Sequence, residues 1–474
     1  MTDQAPSIVW FRNDRRLSDH PALYAAVERG APMVLLFVLE DDADRVPGGA
    51  RAVWLHHSLA AFKKDIESRG GRLVLRKGPA AGVIDALVEE TGAGAVFWNR
   101  RYHAPDRNRD AAIKESLTER GIHAESFKGN LLVEPWEVET KSGGPYRVFT
   151  PFWRAAKETM EVGEPLPAPE SLDCVGGNVG TDDLDDWTLL PTKPDWGSKM
   201  MVYHTPGEGG AKTRLDDFLA GPIEDYAEGR DRPDLDLTSK LSPHLAHGEI
   251  SPRMVWDACK DNEFTSRKFL SEIGWREFSY TLLYYNPTLA TENFADGYDA
   301  MAWDHDEQVF EAWTKGKTGY PFVDAGMRQL WETGWMHNRV RMVVASFLIK
   351  HLMIDWRDGE GWFWDTLLEA DLAANAASWQ WVAGTGADAA PYFRVFNPFG
   401  QGEKFDPKGD YVRRWVPEIA KLPNRYIHQP WTAPKETLDK AGVELGRDYP
   451  EPIVDHKQAR ERVLGAYKEA REAA

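Results

Sequence analysis

Short apolar runs alternate with amphipathic stretches over the first part of the chain. Residues 8–11, 33–39, 73–75 and 95–98 are continuous apolar segments of strand length, with helical spacing of apolar residues between them. This rhythm predicts an α/β fold built on a doubly wound parallel sheet. The first strand leads into Arg12-Asn13-Asp14-Arg15-Arg16, and no glycine-rich phosphate loop stands there or after the later strands. An ordinary dinucleotide-binding reading thereby loses its main support.

From about 162 to 210 the pattern dissolves into Pro, Gly and Asp, with an acidic knot at Asp182, Asp183, Asp185 and Asp186. Beyond it apolar residues recur at helical spacing almost without interruption, and strands are hard to find. The expected organisation is an α/β domain over 1–135, a long connector over 136–210 and an all-helical domain over 211–474.

Length and composition narrow the class. A chain of 474 residues exceeds one ordinary core, and no apolar run reaches the length that spans a bilayer. The polar N-terminus lacks the basic flank and cleavage site of a secretion signal, which predicts a cytoplasmic protein. Cys174 and Cys259 lie far apart and outside metal-ligand spacing, so structural zinc is not expected. The net charge of -18 opposes a nucleic-acid partner in bulk, but phosphate binding depends on the local field at one face. Twenty tryptophans point to a fold that uses indoles, because each buried ring needs a partner for its N–H.

Four segments carry candidate chemistry. In 371–381 the alanines favour helix, Asp371, Asn375 and Trp379 stand four apart on one face, and Trp381 points elsewhere. In 334–342 Trp335, Asn338, Arg339 and Met342 follow i, i+3, i+4, i+7 spacing, a stripe too polar for a core and too apolar for a solvated face. Such a stripe suits a ligand with flat rings and phosphates. Glu272, Trp275 and Arg276 bring a carboxylate, an aromatic plate and a cation together, and taken alone a solvated ion pair is an equal reading. Thr238-Ser239-Lys240-Leu241-Ser242-Pro243 offers hydroxyls and a helix start, where simple capping is the commoner outcome.

Taken in order, and with Asp388-Ala389-Ala390-Pro391-Tyr392-Phe393-Arg394 and Asn397-Pro398, these segments resemble the photolyase/cryptochrome family over roughly the whole chain. The resemblance implies FAD in the helical domain. Tyr226, Thr238, Ser239, Leu241 and Ser242 then fall at phosphate and ribitol contacts, and Trp335, Arg341, Glu369 and Asp371 around the isoalloxazine. Asn375 falls opposite flavin N5, where a neutral amide hydrogen-bonds without adding charge.

The same resemblance assigns lesion and DNA contacts to Arg230, Glu272, Trp275, Asn338, Arg339, Met342, Trp381, Arg394 and Gln401. Lys404, Arg413 and Arg414 join Arg394 at the rim, where they answer the net-charge objection. Electron transfer is implied for Trp379, Trp356 and Trp303. An antenna chromophore, methenyltetrahydrofolate or 8-hydroxy-5-deazaflavin, stays unassigned, because Asn99 is followed by Arg100 and not by the glutamate of folate-type sites.

The expected activity is light-driven repair of cyclobutane pyrimidine dimers in UV-damaged DNA by a monomeric enzyme. A cryptochrome-like blue-light sensor and a photolyase for (6-4) products are the alternatives. Family members of the latter kind carry histidines where Asn338 and Met342 stand, and one helical step turns His337 away from that stripe.

Overall fold

A computed structural model describes residues 4–41, 45–177, 179–260, 263–389 and 394–473. Five parallel strands, β1 (Ser7–Phe11), β2 (Met33–Leu39), β3 (Leu73–Lys77), β4 (Ala95–Asn99) and β5 (His123–Phe127), form one sheet in the order β3-β2-β1-β4-β5. Register is regular, with Ser7 beside Met33 on one side and beside Ala95 on the other. Strand alternation divides the apolar residues between two cores. Val9, Phe11, Leu35, Phe37 and Phe97 pack with Leu23, Phe62 and Ile66 on one face, and Ile8, Trp10, Leu36 and Trp98 with Ile84, Leu87 and Ile113 on the other. The doubly wound α/β expectation holds, with β5 as an additional edge strand.

The chain forms two compact units, 1–219 with 239–287, and 220–238 with 288–474. Segment 239–287 is helical yet belongs to the sheet unit, and buried cations explain why. Arg15 donates to Ser58 Oγ (2.9 Å) and the Arg12 carbonyl (2.7 Å), and also meets His247. Arg16 donates to the carbonyls of Asp19 (2.8 Å), Gly129 (2.6 Å) and Gly248 (3.0 Å). Burying a guanidinium is tolerable only when its donors are met, so these contacts fix where 247–248 must sit. The Glu277 carboxylate adds a second anchor by accepting the N–H groups of Leu132 (2.7 Å) and Val133 (3.2 Å), while burial pushes it up to about 7. Cys174 lies in the connector and bridges Met33 at the sheet, and Trp187 joins the core there.

The second unit is helical. Helices Pro321–Thr333, Asn338–Lys350, Trp356–Thr366 and Leu372–Ala383 pack around one apolar cluster that includes Trp313, Val340, Val344, Trp356, Phe363 and Trp379. Among the described residues no helix is long and apolar enough to cross a membrane, and no group of side chains is arranged to hold a metal ion.

Candidate functional site

The helix Leu372–Ala383 starts where Asp371 accepts the Ala374 N–H at 2.8 Å, a side-chain cap that fixes the rotation of the whole helix. That rotation buries Asn375 and Trp379. Asn375 Nδ2 donates to the Glu360 carbonyl (3.1 Å) and to Glu360 Oε1 (2.7 Å), so the nitrogen must face these acceptors. Oδ1 has no protein partner among the described residues and is the atom the amide presents. A neutral acceptor held in this way fits a flavin edge. Arg341 fits the same group. Its Nε donates to the Met336 carbonyl at 2.7 Å and its Nη2 to Glu369, which leaves the guanidinium fixed and partly open.

One expected feature is corrected. Trp335 does not share a helical face with Asn338, Arg339 and Met342, because Gly334 takes a left-handed φ of 66° and the next helix begins only at Asn338. Sequence spacing was read through a helix break. Trp335 is nevertheless buried, with its ring 6.3 Å from that of His337. His337 caps the new helix through Nδ1, which accepts the Arg339 N–H, and burial pushes the imidazole down to about 3. It is a neutral structural cap.

Within the helical unit a cavity of about 630 Å³ is lined by residues that include Arg339, Met342, Arg394, Gln401, Lys404 and Phe405. Two of its polar atoms, Arg339 Nε and Gln401 Oε1, are buried without a partner. A donor and an acceptor left unsatisfied on two lining residues suit a ligand that carries both, as a nucleobase does. Asn338 is exposed at the helix start, Trp381 packs against the core, and Arg394 lies over Phe396 at 5.3 Å. Tyr226 is buried, with the Arg230 guanidinium 5.7 Å from its ring centroid, and Thr238 is half-buried at the end of its segment. Ala390, Pro391, Tyr392 and Phe393 of the 388–394 motif lie outside the described residues.

In the sheet unit, Trp275 stacks on Phe149 at 3.9 Å and 9°, and Glu272 pairs with Lys268 at 3.5 Å. Arg276 turns instead to the Asn130 carbonyl and Glu277, so it serves the fold. Ser239 Oγ accepts the Leu241 N–H at 3.4 Å, Leu241 is the cap residue, and Ser242 opens the helix Ser242–His247. At the carboxyl ends of β1 and β4, where the strand order reverses, the buried atoms Trp10 Nε1, Trp98 Nε1, Arg12 Nε and Arg101 Nε lack partners, as does Glu40 Oε1 just past the end of β2. Asn99 is committed to Asp14 at 2.9 Å.

Trp379 and Trp356 are buried and Trp303 packs at the edge of their core. Sequence reading missed a further series of rings. Trp379, Trp313, Phe310, Trp362 and Trp331 follow one another with centroid separations of 6.3, 5.8, 6.5 and 6.0 Å, ending at Trp331, which is 59% exposed. Nothing in their spacing along the chain marks them, since four different helices bring them together.

A parallel sheet without a phosphate loop, and a helical unit that presents a fixed amide beside buried indoles, are compatible with a flavin-binding protein. Comparison with known proteins carries this further. Family models described as DNA photolyase and as the FAD binding domain of DNA photolyase match residues 7–170 and 269–469, and the chain belongs to the DNA photolyase family. It is 56% identical over 470 residues to a deoxyribodipyrimidine photo-lyase of Agrobacterium fabrum, covering 98% of both chains. It is 39% identical to cryptochrome-1 of Arabidopsis thaliana, covering 96% of this chain and 69% of that protein. The crystal structure of a bacterial class III photolyase from Agrobacterium tumefaciens matches with a TM-score of 0.96 and 55% identity, covering 100% of this chain and 99% of that one.

Proposed function

We propose that this chain is a deoxyribodipyrimidine photolyase that repairs cyclobutane pyrimidine dimers in DNA with FAD and blue light. The observation that carries the proposal is the cavity lined by Arg339 and Met342, with an unsatisfied donor and acceptor on its lining residues and no histidine among the described residues that line it. A (6-4) product needs a proton donor to move a hydroxyl between bases, and ring opening of a cyclobutane does not. His337, the neighbouring imidazole, is buried, neutral and used as a cap.

The chemistry that FAD supplies when bound is light-driven transfer of one electron to the dimer and its return. The chain's own residues do the rest. By the family resemblance, Tyr226, Thr238, Ser239, Leu241, Ser242, Trp335, Arg341, Glu369, Asp371 and Asn375 are assigned to FAD. Asn375 offers Oδ1 as an uncharged acceptor, and Glu360 keeps it turned that way. Arg230, Asn338, Arg339, Met342, Trp381, Arg394 and Gln401, with Glu272 and Trp275, are assigned to the extruded lesion and its flanking phosphates.

Trp379, Trp356 and Trp303 are assigned to electron supply, and the ring series through Trp313 and Trp362 to Trp331 supports a second route to the surface. The unpartnered polar atoms at the β1/β4 switch point support an antenna chromophore in the sheet unit, of folate or deazaflavin type. Prereduced protein illuminated with a defined thymine dimer in an oligonucleotide tests the proposal. Dimer loss in blue light and none in the dark is expected, and no loss from flavin-loaded protein would contradict it.

A further inference from the structure

The cavity in the helical unit also holds a carboxylate that none of these assignments uses. Asp231 lines it beside Glu228. Its Oδ2 lies 2.8 Å from Arg339 Nη2 and its Oδ1 3.9 Å from Arg230 Nε, so it sits between two cations assigned to DNA. From its other side Arg339 is held over the Phe405 ring, 4.4 Å from the centroid. The Arg339 side chain is 17% exposed and that of Asp231 32%, so the pair is partly shielded but open to exchange with a ligand. One guanidinium donor is committed to Asp231, while Nε is buried without a protein partner.

Two kinds of ligand meet this arrangement differently. A backbone phosphate approaching Arg339 must compete with Asp231 and is repelled by it and by Glu228. A neutral pyrimidine pays no such repulsion and finds an Arg339 already oriented. Non-specific DNA affinity comes from phosphate neutralisation, so a carboxylate here penalises undamaged backbone more than an extruded base.

We infer that Asp231 is a specificity-determining residue: it positions Arg339 for the extruded dimer and weakens the hold of undamaged DNA on this cavity. The inference rests on the reading that the cavity receives the lesion. Its signature is discrimination rather than affinity.

Binding of damaged and undamaged duplexes to D231N, followed across salt concentrations, tests it. Affinity for undamaged DNA should rise several-fold and its salt slope steepen by about one. Affinity for damaged DNA should change less, so that the ratio of the two falls. D231E, which keeps the carboxylate, should restore the ratio. In an Arg339→Gln background D231N should leave the ratio within about twofold, because the partner it acts through is gone. Flavin content of each variant reports folding, and Asp231→Ser provides a second truncation should D231N fold poorly. Parallel changes in both affinities, or no change in either, would overturn the inference. A parent protein that does not prefer damaged DNA would instead overturn the reading of the cavity itself.

Discussion

Arg15 and Arg16, after the first strand, and Arg339 and Arg394, at the cavity, are the same side chain put to opposite uses. The first two are buried, and Arg16 spreads its donors over the carbonyls of Asp19, Gly129 and Gly248. Arg339 keeps a buried Nε without a partner, and Arg394 lies exposed over Phe396. A saturated guanidinium builds the fold and has nothing left for a ligand. An unsaturated one is held in place by an aromatic ring and waits for a phosphate or a base. The difference separates structural from recognition arginines in a chain whose net charge of -18 gives no hint of either.

The strongest way to break this comparison is Arg16→Met. It leaves several buried carbonyls without donors, and a loss of about 3–5 kcal/mol in unfolding free energy is expected. Urea denaturation checks it, and near-wild-type stability would show that Arg16 is not saturated as described.

Asn375→Asp extends the same logic to an amide. It replaces the Nδ2 donor by an oxygen facing two acceptors of Glu360, so the new carboxyl must hold a proton or be repelled. Flavin should remain bound, the fully reduced state should reoxidise faster, and repair should fall about tenfold or more. Absorbance decay after photoreduction, measured beside repair, reads both effects.

The smallest effect belongs to Arg394→Ala. Stability should stay within about 0.5 kcal/mol, since the side chain is exposed and outside any core. Affinity for damaged and undamaged DNA should fall together, with the salt slope reduced by about one phosphate contact. A loss confined to damaged DNA would move Arg394 from the rim into the lesion contact.

Much of the architecture is legible because its cause is local. Four strands announce themselves as apolar runs, and Asp371 caps a helix whose alanines already favour it. β5 escapes notice because His123-Ala124-Glu125-Ser126-Phe127 is an edge strand, half-exposed, with no continuous apolar signal. The Trp335 stripe fails at Gly334, where helical periodicity continues in the sequence although the helix itself stops. Long-range partners leave no trace at all. Nothing in the spacing of Asn375 and Glu360, or of Arg339 and Asp231, says that each pair meets, because tertiary packing brings them together. The same holds for Arg16 and Gly248, whose contact assigns a helical segment to the sheet unit.

The central claim is that the cavity serves ring opening and offers no proton to the lesion. It rests on Met342 and the unsatisfied Arg339 and Gln401 atoms, with His337 withdrawn as a neutral cap. The most direct measurement gives prereduced protein two oligonucleotides, one with a cyclobutane thymine dimer and one with a (6-4) product, under the same blue light. The account predicts restoration of the first and no change in the second. Comparable repair of both, or of the (6-4) product alone, would contradict it.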